Sequence, residues 1–290
     1  MGSVRRSRVI SPLAALVLTG VAMAGSPDRA RDRATPPARV VSINLCTDQL
    51  ALGLAAPGQI ISVSRLSHDP ASSAMADAAR ALPVNGSGAE EVFLLAPDLV
   101  LAGTFTAAST VQMLRDLGIQ VELFAPAQSL ADITVLLNRM GTLLGRQPQA
   151  AAQISAFHRD LAALADTPAK RPRAALYYVN SYTLGDHSLA GDILKAAGFD
   201  NIATEAGLEQ GGTLPLEQLI MLQPDVIVQG RDYPGQARAE DILIHPALRA
   251  LADTRVVGTL TDRDWICGTP LVLSAVRAMR DLRLSLEAGQ

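Results

Sequence analysis

The chain is poor in the side chains that most often carry chemistry. Its 290 residues include two Cys, four His and one Trp, and aromatics total 3%. Neither the cysteines nor the histidines fall at the paired spacings of a zinc motif, so a bare-metal site has little sequence support. Basic residues are outnumbered, 25 against 28 acidic. That argues against nucleic acid as a partner, because phosphate binding needs clustered Lys and Arg. The chain also lacks a Gly-x-Ser-x-Gly elbow, a Walker loop, a His-Glu-x-x-His pair and a Gly-rich dinucleotide turn after its first strand. The expectation is therefore not an enzyme and no resident cofactor; an exported α/β enzyme survives as an alternative only because such folds host many activities.

Long apolar runs are missing too. Arg5, Arg6 and Arg8 precede an apolar run over residues 9–21 that contains Pro12, and Ala22-Met23-Ala24 follows as a small-x-small cleavage pattern. The run is too short for a membrane span and reads as a signal peptide over residues 1–24. Residues 25–38 are charged and Pro-rich with no apolar period, which reads as a flexible leader. The first cysteine is Cys46, so a lipid anchor is not expected, and the mature protein should be exported and soluble. Two cysteines in such a compartment either pair or stay free.

What is present is alternation. Short apolar runs at residues 40–43, 60–63, 99–102 and 121–124 predict strands, separated by helical stretches. The pattern resumes at residues 173–179, 226–228 and 255–257, with helices over 189–197, 216–222, 242–251 and 269–286. Between the two sets, residues 148–165 carry Ile154, Phe157, Leu161 and Leu164 on one helical stripe, with Pro148 in the first turn and Pro168 and Pro172 barring continuation. The fold class implied is α/β: two lobes with mainly parallel sheets and flanking helices, joined by one long helix. The boundaries fall at residues 39–146 for the first lobe, 147–167 for the connection and 168–290 for the second.

The halves also resemble each other. Glu90-Glu91-Val92-Phe93-Leu94-Leu95-Ala96-Pro97-Asp98 lies over Glu217-Gln218-Leu219-Ile220-Met221-Leu222-Gln223-Pro224-Asp225 at a constant shift of 127 residues, position 90 to position 217. In each copy a Glu begins a short helix, Pro-Asp turns the chain and an apolar strand follows. One such Glu is explained by the helix dipole alone. Two copies suggest a pair of carboxylates on one face of the molecule.

On these residues, and on Arg39-Val40-Val41-Ser42 through Asp48, the chain resembles the periplasmic substrate-binding proteins of ATP-driven importers for iron-siderophores and cobalamin. The resemblance covers nearly all of the chain from Arg39 onward. It implies two α/β lobes joined by a long helix, no large hinge motion, and docking of Glu90 and Glu217 into Arg pockets of an inner-membrane ABC permease. It further implies capture of a metal-chelate small molecule, an iron-siderophore or a corrinoid, by a monomer; a Zn or Mn carrier is the alternative.

In parallel sheets ligands bind beyond the carboxyl ends of the strands, which nominates three loops. The first contains Asn44 and Cys46, the second Tyr182, and the third Arg263, Trp265 and Cys267; Arg231 and Tyr233 join them from a further loop. Trp265 matches a cleft Trp of the cobalamin-binding members, and the arginines suit an anionic chelate. Cys46 and Cys267 should both face the cleft, bonded, free or simply buried. His68 and His187 lie in loops that can reach it, whereas His158 and His245 read as structural.

Overall fold

A computed structural model of the chain describes Gly2 and residues 35–230, 242–243, 245–249, 255–257 and 262–288. The signal-peptide reading, most of the leader, Arg231 and Tyr233 fall outside the described residues. The first sheet is built from β1 (Val40–Ser42), β2 (Ile60–Ser64), β3 (Val84–Asn85), β4 (Leu99–Gly103) and β5 (Val121–Phe124), in the order β3-β2-β1-β4-β5. All its pairings are parallel. Between the strands run α1 (Leu45–Leu54), α2 (Ala76–Ala79), α3 (Ala89–Leu94) and α4 (Ala108–Asp116). Strands β1 and β4 are buried along their whole length, which is why Val40-Val41 and residues 99–102 are continuous apolar runs rather than alternating ones.

Two helices, α5 (Leu130–Leu144) and α6 (Gln147–Leu164), follow. A capping box fixes the start of α5: Ser129 Oγ accepts from Asp132 N, and the Asp132 carboxylate accepts from Ser129 N. Gly145, at φ 68°, ends it in the left-handed conformation. Helix α6 lies one residue earlier than its sequence pattern predicts. Its stripe is as read: Phe157 and Leu164 are buried, and Ile154 and Leu161 pack half-buried against the main core.

The second sheet contains β6 (Arg173–Tyr177), β8 (Asp200–Asn201), β10 (Val226–Gln229) and β11 (Arg255–Val257), again all parallel, in the order β11-β10-β6-β8. A separate antiparallel pair joins β7 (Tyr182–Thr183) to β9 (Gly212–Thr213). Helices α7 (Leu189–Ala196), α8 (Ile202–Glu205), α9 (Leu216–Leu222), α10 (Pro246–Arg249), α11 (Asp262–Trp265) and α12 (Leu273–Ala288) complete this half. One apolar cluster runs from Val40 and Leu99 through Leu137 of α5 and Phe157 of α6 to Leu176, Trp265 and Met279. Two smaller clusters cover the outer faces, one per sheet.

The internal repeat holds atom by atom. Helices α3 and α9 begin at equivalent residues, Ala89 and Leu216, and bury equivalent ones, Val92 and Leu219. Each leads to a non-glycine residue in the left-handed region, Ala96 at φ 45° and Gln223 at φ 46°. Asp98 Oδ2 then accepts from Arg39 N at 3.0 Å, and Asp225 Oδ2 from Arg173 N at 2.7 Å. The two arginines return the contact: Arg39 donates to the Leu95 and Ala96 carbonyls and Arg173 to that of Gln223, satisfying acceptors that a helix end leaves open. Arg173 also pairs with Glu205 at 2.7 Å, which holds that carboxyl below its ordinary range.

Asp48, in the first turn of α1, is fully buried. Its Oδ2 accepts from Ser64 N at 3.1 Å and from the Ser64 and Ser67 hydroxyls, while Oδ1 has no partner among the described residues. Burial raises its carboxyl above the usual range, and the serine hydrogen bonds only partly offset this. A folded-state pKa above the unfolded one penalises folding at neutral pH. The penalty fades as pH falls through the folded pKa and is gone below the unfolded value. Wild-type protein should therefore gain stability relative to Asp48→Asn as pH is lowered from 8 toward 4. Paired thermal melts check this, and a difference that does not change with pH would contradict it.

Candidate functional site

The loop that leaves β1 turns at once into α1. Asn44 is the N-cap, its side-chain oxygen accepting from Cys46 N at 3.0 Å and Thr47 N at 3.3 Å. This cap sets Cys46 on the first turn, where it bonds to Cys267 across 221 residues of chain, with Cα atoms 5.0 Å apart. The cysteines, open between three states in sequence, are thus a disulfide that ties the first sheet's leading loop to the segment after α11. Gly268 allows the approach: a Cβ there would lie 2.4 Å from that of Ala127. Two hydrogen bonds reinforce the tie. Leu130 N, at the start of α5, donates to Asp192 of α7 at 2.8 Å, and Arg263 donates to the Pro70 carbonyl at 3.2 Å.

Beside the disulfide lies a cleft of about 410 Å³, bounded by Tyr178, Tyr182, Trp265, Ile266, Gln128 and Gln210. A smaller recess of about 60 Å³ adjoins at Ala127 and is lined by Asn44, Cys46 and the exposed Phe105. The chain reaches Tyr182 through two successive left-handed residues, Asn180 at φ 56° and Ser181 at φ 58°. Asn tolerates that region; Ser does so at a cost, and such strain is found where a loop must aim a side chain. Below it, Tyr177 donates to Ser181 Oγ at 3.0 Å, and burial pushes its phenol pKa up. Gln210 is held from behind by His187, whose Nδ1 lies 2.9 Å from its Nε2. Ser188 faces the cleft as the N-cap of α7, accepting from Gly191 N at 3.1 Å.

Among the described residues no charged side chain lines either space. The walls offer aromatic and aliphatic surface with amide and hydroxyl groups, chemistry suited to a large ligand without strong net charge. Of the residues nominated by sequence, Asn44, Cys46, Tyr182 and Trp265 come together here. Trp265 differs from its expected setting: it ends helix α11 and is only 5% exposed, so little of its ring is open to the cleft. Tyr182 lies in β7 rather than in a loop and is half exposed. Arg263 does not line the cleft; its guanidinium is directed to Pro70. His68 is also directed elsewhere, its Nε2 lying 2.9 Å from the Ala79 carbonyl. Tyr178, Gln128 and Gln210 were not evident in the sequence, although Tyr178 directly follows β6, at the strand end where the rule for parallel sheets looks.

The chain matches the family of periplasmic binding proteins over residues 40–259, and it belongs to that family. It is 32% identical over 200 residues to cobalamin-binding proteins of two strains of Halobacterium salinarum. The match takes in 67% of this chain and 54% of theirs, so the chain spans about half the length of the curated relatives it matches. The solved periplasmic haem-binding protein of Vibrio cholerae superposes with a TM-score of 0.70 at 19% identity, covering 84% of this chain and 98% of that one. For the periplasmic vitamin B12-binding protein of Vibrio cholerae the values are 0.58, 17%, 85% and 96%. A periplasmic haem-binding protein from Pseudomonas aeruginosa gives 0.68 at 22%, covering 84% and 91%. At these identities the likeness establishes the fold, α/β with parallel sheets and flanking helices.

A bond that closes so long a loop should contribute about 2–4 kcal/mol of stability. The unfolded, oxidised protein should show no titratable thiol. The Cys46→Ser/Cys267→Ser variant should melt lower by that free energy; an unchanged melting temperature would mean that the bond constrains nothing.

Proposed function

We propose that this protein captures a corrinoid in the cleft beside the disulfide and delivers it to an inner-membrane ABC permease. The observation that carries the ligand class is that, among the described residues, no charged side chain lines the cleft. A ferric catecholate or a haem brings carboxylates or phenolates that need cationic partners, whereas a corrinoid presents a broad, amide-fringed and nearly neutral surface to rings and side-chain amides. The identity with cobalamin-binding proteins over 200 residues supports the same choice. Scarce aromatics weigh against a ligand held by stacking on several rings.

Trp265 is the only Trp, so it reports binding without interference. Cyanocobalamin should quench its fluorescence saturably, while a ferric hydroxamate, haemin and Zn²⁺ should have no saturable effect. Tight binding of the ferric hydroxamate alone would transfer the proposal to a siderophore. Tight Zn²⁺ binding alone would transfer it to a metal carrier.

Delivery would use Glu90 and Glu217. Both are exposed at the second position of equivalent helices, and neither makes a hydrogen bond or ion pair among the described residues. Their neighbour Glu91 differs, accepting from Gly86 N at 2.7 Å. Two free carboxylates held by a rigid repeat suit bidentate pairing with two arginines of a two-fold permease. The two sheets would then act as lobes over the two permease subunits, with export by the N-terminal segment and a monomer as the working unit. Glu90→Arg/Glu217→Arg should abolish cyanocobalamin uptake in cells and leave the Trp265 titration unchanged; preserved uptake would remove the docking role.

A further inference from the structure

The repeat exposes more than acid. Leu94 is 80% exposed and Met221 82% exposed, and they are equivalent positions, one helical turn beyond Glu90 and Glu217. Single exposed apolar residues are ordinary on a protein surface. Here the same exposure occurs twice, at the 127-residue shift, on helices whose opposite faces bury Val92 and Leu219 completely. Neither side chain is needed for packing, and a residue four positions after another lies on the same helix face. Each half therefore presents one unit: a carboxylate with no hydrogen-bond partner among the described residues, and a large apolar side chain one turn away.

We infer that Leu94 and Met221 are paired apolar anchors that enter two equivalent sockets on the permease, each beside the cationic group that receives the neighbouring Glu. This inference rests on the delivery reading above. The occupant follows from charge and repetition. A bilayer surface would also take up Leu and Met, but anionic head groups would repel Glu90, Glu91 and Glu217 on the same helices. A partner that offers the contact once would leave one copy idle. A two-fold protein surface with a basic group next to an apolar pocket uses both, the carboxylates fixing orientation and the apolar pair supplying contact that salt does not screen.

The test measures binding of fluorescently labelled, ligand-free protein to inner-membrane vesicles from the organism that encodes it, with protein-free liposomes of the same lipids as reference. Wild type should bind the vesicles saturably and the liposomes not at all. Leu94→Ser and Met221→Ser should each weaken binding by about tenfold and the double variant by about a hundredfold, as expected for losing one buried apolar side chain per socket. All three should keep the wild-type melting temperature, since both side chains are exposed. The residual binding of the double variant should fall more steeply with added salt than that of wild type. If Glu90→Arg/Glu217→Arg binds as wild type, or wild type does not bind saturably, the delivery reading falls and this inference with it. If the Glu variant loses binding while Leu94→Ser/Met221→Ser keeps it, the anchors alone are refuted. An effect at only one of the two positions refutes the two-fold partner. Equal binding to liposomes makes lipid the occupant and overturns the inference.

Discussion

The bond between Cys46 and Cys267 is the constraint on which the site depends. Without it, the loop after β1 and the segment after α11 would be held by packing, with the hydrogen bonds from Leu130 to Asp192 and from Arg263 to Pro70 lying elsewhere and contributing about 1 kcal/mol each. With it, one wall of the cleft cannot move away from the other without carrying α1 along. The continuous apolar cluster beneath, through α5 and α6 to Trp265, removes a second route to opening. A cleft held in this way is preorganised, so ligand binding does not have to meet the cost of ordering its walls.

The repeat gives the same rigidity to the helices that carry Glu90 and Glu217. In each half an Asp accepts from the backbone N–H of an Arg, and that Arg closes the carbonyls at the end of the helix carrying the Glu. The loop between helix and strand is thereby locked at both ends, and the left-handed residues Ala96 and Gln223 are held where they would otherwise relax. Two similar locks on two sheets give a fixed pair of exposed motifs. The chemistry of the cleft and that of the outer face then separate cleanly: amide, hydroxyl and ring groups within, paired carboxylates and apolar side chains outside.

Much of the fold was legible because its main elements follow simple periods. Strands β1, β4 and β10 are buried runs, β5 is buried at its two ends, and α6 carries an apolar stripe bounded by prolines, so their bounds fall within two residues of the sequence reading. Elements of two to four residues were not legible. Strand β3 exists because the Asn85 amide bonds the Ser42 and Val63 carbonyls, and β7 pairs with β9 about thirty residues away; neither contact leaves a local pattern. Of the site, Asn44, Cys46, Tyr182 and Trp265 were legible from strand ends and the family pattern. The burial of Trp265 and the direction of Arg263 were not, since the first depends on how α11 packs against α7 and α12 and the second on Pro70 in the other half of the chain. Arg283 makes the same point: it reads as a polar position of α12, yet it is 1% exposed, bonded to the Ala197 carbonyl and paired with Asp166 and Glu287.

A single covalent bond keeps the cleft assembled around its proposed neutral ligand. Calorimetric titration of cyanocobalamin into oxidised wild type and into Cys46→Ser/Cys267→Ser tests this most directly. The account predicts tight binding to the oxidised protein and about tenfold weaker binding, with a larger unfavourable entropy, when the bond is removed and the walls must be ordered on binding. Equal affinity and entropy for the two proteins, or no binding to the oxidised form, would contradict it.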